Sequence, residues 1–558
     1  MAEIVRGVGV SPGFATGPAY ILPTAPLEPK TLGSPQEERT AYDAAVVISA
    51  AQLEEIALQL RSEGHDSEAG IMEAQSLMAR DPTMLDAVHE RIDAGQPAAH
   101  AVQEAAADIK AALEALEDPY LAARAADVQD VADRIIRALH PDFDAPPMRD
   151  PCILVAHDLT PSQTASIDRT LVRGFATDAG SPTSHTAILA RALDIPAVVG
   201  LGDLTERVQN GQEIALDGEA GTVSLNPDGS EREAFARGAA AQAEQKRRLH
   251  RLRDEPAQTR DGHRLTLAAN IGSPDDVPAA LEAGAEGVGL FRTEFLFAGQ
   301  DQMPGEEDQV EAYAAVLKAM PDETVVIRTL DVGGDKPLPY VPATREENPF
   351  LGLRGIRYTL ANSEVMRSQL RALLRASKYG KLAIMFPMVS ELEQIEQART
   401  LVAEAQAEVG GEAEIGIMVE VPAAALIAHQ LAPHVDFFSA GTNDLAQYGL
   451  AVDRVNERVA ALYRPLHPAI LSLLAHTVAG AHDHGRWAGI CGEMGGDHLA
   501  IPLLVGLGFD ELSMTPSRIP AAKERIRNLE LAACRDLAQR ALRCATAAEV
   551  EQIVRNRF

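Results

Sequence analysis

Cysteine is scarce, tryptophan occurs once, and positive charge is outnumbered in this chain of 558 residues. The four cysteines, Cys152, Cys491, Cys534 and Cys544, show no paired spacing, which argues against a disulfide scaffold and suits a reducing cytosol. No apolar stretch is long enough to cross a bilayer. The opening Met-Ala-Glu-Ile-Val-Arg lacks the basic and apolar regions of a secretory signal, so a cytoplasmic location without membrane insertion is expected. With 81 acidic against 50 basic residues, the formal net charge is −31. Nucleic acid and anionic membrane surfaces would be repelled. An anionic ligand would need a local cluster of Arg, Lys or metal to receive it.

Apolar residues make up 46% and charged residues 23% of the chain, the balance of a folded protein. Its length predicts two to four domains. Residues 1–18 hold a strand-like piece and a Ser11-Pro12-Gly13 turn. From about Ser34 to His140 the texture becomes Ala/Leu/Glu-rich with helical spacing, interrupted at Asp81-Pro82, Gln96-Pro97 and Asp118-Pro119, where each Pro suits the first turn of a helix. Between 151 and 226, short apolar strands surround one amphipathic helix beginning near Thr183-Ser184-His185. We therefore expect an α/β domain from 1–18 and 148–226, an inserted helical bundle over 19–147, a linker helix within 227–258, and a final domain over 259–558.

That last segment contains eight short apolar runs: Leu265–Ala269, Gly287–Phe291, Val325–Arg328, Ala383–Phe386, Ile415–Val419, Asp436–Ser439, Ala488–Ile490 and Glu511–Met514. Continuous apolar runs spaced by helical sequence are what parallel strands buried on both faces require. Eight of them predict a (β/α)8 barrel, with an open doubly wound sheet as the alternative. Polar residues follow several runs: Arg292-Thr-Glu294, Arg328 to Lys336, Glu420, Asn443-Asp444 and Cys491-Gly-Glu493. In a barrel these share the C-terminal rim, where active sites form. Guanidinium forks with carboxylates and a divalent metal would fit an anion, although such residues could also cap helices or pair with one another. His185, in the first turn of its expected helix, meets free backbone N–H groups and the positive end of the helix dipole, a setting for a negatively charged adduct on a nucleophilic imidazole. The chain has 15 histidines, so position alone does not single this one out.

Thr183-Ser-His-Thr-Ala-Ile-Leu-Ala-Arg191, followed by Ile195-Pro-Ala-Val-Val-Gly200, resembles the phosphohistidine signature of the phosphoenolpyruvate-utilising family. Phe291–Phe297, Arg328–Lys336, Asn348–Arg357, Phe438–Leu445 and Cys491–Met494 resemble its substrate-binding barrel. End to end the chain is similar to the branch that phosphorylates a carrier protein in the sugar phosphotransferase system. The resemblance implies that His185 accepts phosphoryl from phosphoenolpyruvate and passes it to an HPr-like carrier docked on the helical domain. It implies that Arg292, Arg328 and Arg454 clamp the substrate with Asn443, that Glu420 and Asp444 hold Mg²⁺ (or Mn²⁺), and that Cys491 protonates the enolate. Asp444 thus lies at both metal and substrate. Lys336 and Arg354 belong to matching motifs, and the barrel is expected to form a homodimer. One departure is Ser181-Pro182, where the family often has Gly and a basic residue before Thr-Ser-His. A pyruvate phosphate dikinase or phosphoenolpyruvate synthase would need a nucleotide-binding domain before the phosphohistidine domain, whereas about 180 residues precede His185 and carry no Gly-rich phosphate loop. A regulatory relay lacking catalysis is the other alternative, and His185, Glu420, Asp444 and Cys491 together speak against it.

Overall fold

The computed structural model describes all residues except 1–2, 23–30, 63–65, 115–124, 141–147, 149, 160–170, 182–185, 188–189, 191–194, 299–301, 334–345, 455 and 457. The chain divides into two compact units, Met1–Gln245 and Lys246–Phe558.

The first unit carries a mixed sheet of eight strands: β1 (Glu3–Arg6), β2 (Val8–Ser11), β3 (Phe14–Ile21), β4 (Cys152–Ala156), β5 (Val172–Thr177), β6 (Ala197–Val199), β7 (Glu213–Asp217) and β8 (Thr222–Leu225), in the order β1-β8-β7-β3-β4-β5-β6-β2. Strand β3 does not follow from the sequence pattern, because Gly17-Pro18 interrupts it. The ladder absorbs the missing N–H of Pro18 because Ala19 donates to Gln212 O instead (2.8 Å). Between β3 and β4 lie α1 (Pro35–Ser62), α2 (Asp66–Ala79), α3 (Pro82–Asp93), α4 (Ala98–Glu114) and α5 (Ala125–Leu139). Asp81 caps α3, its carboxylate accepting from Thr83 N at 2.8 Å, with Pro82 in the first turn. Asp118-Pro119 lies outside the described residues. Tyr42, Val88, Ile92, Val102, Val131 and Ile135 bury the apolar stripes of these helices against one another. Helix α6 (Gly229–His250) follows the sheet.

In the second unit eight parallel strands close on themselves: β9 (Thr266–Ile271), β10 (Val288–Arg292), β11 (Thr324–Arg328), β12 (Lys381–Phe386), β13 (Glu414–Val419), β14 (Phe437–Ala440), β15 (Trp487–Ile490) and β16 (Glu511–Met514). Strand β16 pairs with β9, so an open sheet is ruled out. Alternation along the strands sends one face outward to the helices, where Phe291, Ile327, Ile384 and Ile417 join the main core. The other face fills the barrel with Leu290, Val326, Ala383, Met385, Met418 and Phe437, Phe437 stacking on Trp487 at 4.4 Å between ring centres. Burying a side chain of this size is worth about 1.5–3 kcal/mol, so the barrel holds its rim on a packed support. A rim held this way can carry the side chains of a reactive site.

Candidate active site

The strand ends meet around a cleft of about 730 Å³ lined by Arg292, Arg328, Glu420, Asn443, Asp444, Arg454 and Cys491, together with Glu294, Tyr463 and Glu493. Each of the described residues expected at the site therefore faces one space. His185 and Lys336 lie outside the described residues.

Three arginines line the cleft. Arg328 ends β11 and is buried, with Glu294 Oε1 2.8 Å from its Nη2 and Asp331 Oδ2 3.3 Å from its Nη1. Burial alone would favour the neutral guanidinium, but Glu294, Asp331 and Glu420 outweigh it and keep Arg328 charged. Its Nε has no hydrogen-bond partner among the described residues. A buried donor without a partner costs free energy unless something accepts from it, and a ligand anion in the cleft could do so. Arg292, at the end of β10, is exposed. Arg454 lies 3.3 Å from Asp444 Oδ1 through its Nη2.

Carboxylates share the cleft with them. Glu420 follows β13 and is buried, one oxygen accepting from Met388 N at 2.6 Å. Burial, then Asp444 and Asp331, push its carboxyl up to about 8. Met388 adopts φ 59° to present that N–H, an uncommon conformation for a side chain other than glycine. Gly355 makes room for it, since a Cβ there would meet Met388 Cβ at 2.9 Å. Arg354, only 1% exposed, sits beneath the cleft. Its Nε and Nη2 grip Asp331 at 3.0 and 3.1 Å, and Nη2 also reaches Asp444 Oδ2 at 2.8 Å. Arg354 thus acts through Asp331 and Asp444 and does not line the cleft.

Two oxygens remain for a cation. Asp444 Oδ1 faces Arg454 Nη2 at 3.3 Å but accepts no hydrogen bond among the described residues, and the second Glu420 oxygen is not the one held by Met388. Their buried surplus of negative charge, which raises the Glu420 pKa, is what a divalent ion would relieve. Hard carboxylate oxygens suit Mg²⁺ or Mn²⁺. Among the described residues no cluster of three or more His, Cys, Asp or Glu could hold a metal by itself, so the pair would need ligand oxygens to complete a shell.

Cys491 closes the site at the end of β15. It is 2% exposed, and its Sγ lies 3.6 Å from Ala440 O. Burial pushes its thiol up to about 12 despite the pull of Arg328 and Arg292, so it stays protonated. That is well above the unperturbed value that the residue type alone suggests. The turn beyond it depends on Gly492, where a Cβ would meet Thr442 Oγ1 at 2.0 Å. Asn443 is tied to that turn: it donates through Nδ2 to Glu493 Oε1 (3.3 Å) and accepts from Glu493 N (3.2 Å). Glu294 and Asp331, which hold the arginines, were not singled out from sequence. The only signal was their presence within the Arg-Thr-Glu and Arg-Thr-Leu-Asp motifs.

A closed barrel whose rim brings guanidinium donors, two buried carboxylates and a buried thiol around one cleft is the setting of an enzyme that takes a small anionic substrate. Family models match the chain as a PEP-utilising enzyme: its PEP-binding domain at residues 246–531, its N-terminal domain at 6–124 and its mobile domain at 148–221. The phosphoenolpyruvate-protein phosphotransferases of Staphylococcus carnosus and Bacillus subtilis are each 43% identical over 566 residues, covering 99% of this chain and 99% of each relative. A solved solution structure of Enzyme I (nEIt) is 34% identical and covers 43% of this chain and 99% of its own, with a TM-score of 0.37. The chain belongs to the phosphoenolpyruvate-utilising enzyme family.

Proposed function

We propose that this enzyme is a phosphoenolpyruvate–protein phosphotransferase that carries phosphoryl from phosphoenolpyruvate through His185 to the histidine of an HPr-like carrier, the first step of sugar uptake by the phosphotransferase system. The observation that carries the reading is the convergence of Arg328, Glu420, Asp444 and Cys491 on one cleft, in a chain with full-length similarity to enzymes of that name.

In this reading Arg292, Arg328 and Arg454 hold the phosphate and carboxylate of the substrate, and Asn443 fixes its orientation. The unpartnered Nε of Arg328 suits such a contact. Glu420 and Asp444 would hold Mg²⁺, which when bound offsets charge on the phosphoryl oxygens. The imidazole of His185 attacks phosphorus, the bond from phosphorus to the enol oxygen breaks, and the enolate leaves. Cys491 then gives its proton to the methylene carbon and pyruvate forms. The elevated thiol pKa suits this role: the proton stays on sulfur until a strongly basic carbon is in place. The carrier is assigned to the helical domain, 19–147, and exposed apolar side chains there, Leu58 and Leu77 at 68% and 71% exposure, support it. The α/β domain of 1–18 and 148–226 would bear the phosphohistidine, 227–258 would link it to the barrel, and 259–558 would bind substrate and dimerise. Four free cysteines suit the cytoplasm. The test is pyruvate release from phosphoenolpyruvate with Mg²⁺ and HPr. Turnover without nucleotide supports the proposal, and a requirement for ATP overturns it.

A further inference from the structure

The end of strand β15 is held by a hydrogen-bond chain that uses side chains outside the cleft. Asn270, on β9, donates through Nδ2 to the carbonyl oxygen of Cys491 at 3.0 Å. Ser513, on β16, donates its hydroxyl to Asn270 Oδ1 at 2.6 Å. Strand β16 lies between β15 and β9 in the barrel, so the Asn270 amide reaches past a neighbouring strand to a carbonyl that is not in its own ladder. The orientation of the amide is set by these partners. With oxygen and nitrogen exchanged, two acceptors would face each other at Cys491, and the Ser513 hydroxyl would meet an NH₂ group. Ser513 is fully buried, which makes loss of its acceptor costly.

On its other side Cys491 is held by β14, its N–H donating to Ala440 O at 3.1 Å and its thiol lying 3.6 Å from that same oxygen. The residue therefore has both faces of its backbone fixed, by Ala440 on one side and Asn270 on the other. Beyond it the chain turns sharply at Gly492, so no strand ladder continues to hold the sulfur in place. Neither Asn270 nor Ser513 lines the cleft.

We propose that Asn270 and Ser513 are positioning residues for the proton transfer, together aiming the Cys491 thiol at the carbon that receives its proton. The inference rests on the reading of Cys491 as the acid. Bringing S–H and carbon to a reactive distance is a geometric demand, and a displacement of about 1 Å can cost 10²-fold in rate. Substrate and metal contacts come from other strand ends, so binding is separable from aim.

The test follows exchange of the methyl hydrogens of pyruvate for deuterium, by NMR in D₂O with full-length protein and Mg²⁺, because this runs the carbon proton transfer without phosphoryl transfer. Asn270→Leu preserves bulk but cannot donate, and Ser513→Ala frees the amide to turn. We expect exchange and kcat for pyruvate formation to fall roughly tenfold or more in Asn270→Leu and less in Ser513→Ala, with KM for phosphoenolpyruvate within about twofold of the parent value. Asn270→Asp can donate to Cys491 only while its new carboxyl is protonated, so its exchange rate relative to the parent should rise as pH falls. Because a buried carboxyl also makes folding pH-dependent, circular dichroism over the same pH range shows that the ratio is read on folded protein. Phosphorylation from phosphorylated HPr, which bypasses the carbon step, should stay intact in all three. Unchanged exchange in Asn270→Leu, equal losses in kcat and KM terms, or a pH-independent ratio for Asn270→Asp would overturn the proposal. Cys491→Ser, run in parallel, separates the two claims: if it exchanges normally, the assignment of the acid fails, and if it alone loses exchange, only the positioning role fails.

Discussion

Replacing Arg354 by Met would remove the guanidinium that bonds to both Asp331 and Asp444. The structure defines what is lost: two bonds to Asp331 at 3.0 and 3.1 Å, one to Asp444 at 2.8 Å, and one to Tyr448 Oη at 3.2 Å. Arg354 and Asp331 are buried to 1% and 0% exposure of their side chains, so solvent cannot replace the guanidinium. Removing one partner of such a pair strands a buried charge and costs about 3–5 kcal/mol. Glu420, already pushed up to about 8 by burial and these neighbours, has Arg354 among the groups pulling it down, so it should rise further. Two effects follow. Denaturant unfolding of Arg354→Met should show a barrel destabilised by roughly 3–5 kcal/mol, most strongly at alkaline pH, where the Glu420 carboxyl must ionise. Activity with phosphoenolpyruvate should need more Mg²⁺ at neutral pH and recover part of the deficit as pH rises and Glu420 deprotonates. Titration of initial rate against Mg²⁺ at pH 7 and pH 9 reads this directly. A variant with the parent's stability and the same Mg²⁺ requirement at both pH values would refute the reasoning, and Arg354 would then be a packing residue.

Glu511 is buried in β16, one of its oxygens has no partner among the described residues, and burial, then Asp510, push it up to about 8 from the ordinary carboxyl value of 4.5. A folded-state value raised in this way gives stability that is full below the unfolded value and is lost as pH rises through about 8. Glu511→Gln should therefore remove a pH-dependent loss of up to roughly 5 kcal/mol between pH 5 and 9 in denaturant unfolding, and an unchanged slope would contradict this. Gly492→Ala should cut turnover sharply, since a Cβ would sit 2.0 Å from Thr442 Oγ1; kinetics matching the parent would show that the turn tolerates a side chain. Cys491→Ser should stop pyruvate formation yet still accept phosphoryl from phosphorylated HPr, and pyruvate release near the parent rate would rule out the thiol as acid. Leu77→Glu, at an exposed site on α2, should slow transfer to HPr several-fold without slowing phosphorylation by phosphoenolpyruvate; equal effects on both would move the docking surface elsewhere.

The barrel was legible because strands buried on both faces leave continuous apolar runs, and all eight fall within one or two residues of the observed strands. Strand β3 was not, because Gly17-Pro18 reads as a turn and only the flanking ladders show how the backbone tolerates it. At the rim, Arg292, Arg328, Glu420, Asn443, Asp444 and Cys491 could be named from their positions after strands, whereas Arg454, which follows no strand, is named only by the family resemblance. Their supports could not. Arg354 and Asp331 form a buried ion web that depends on three strand ends meeting in space, and no local pattern distinguishes them from residues that touch a ligand. Asn270 follows an expected strand by one residue and looks like an ordinary strand end; its reach across β16 exists only in the closed barrel. The Cys491 thiol illustrates a further limit. Its residue type suggests an ordinary acid, whereas burial at the strand end raises it to about 12.

The central claim, that phosphoryl passes from phosphoenolpyruvate to His185, is tested most directly by locating the phosphate itself. The purified protein is incubated with phosphoenolpyruvate labelled in its phosphoryl group and Mg²⁺, without nucleotide, and digested under alkaline conditions that preserve phosphohistidine. We expect about one label per chain, on the peptide containing His185, released by acid, transferred to HPr on its addition, and absent in His185→Ala. Label on another residue, or undiminished labelling of His185→Ala, would contradict the account.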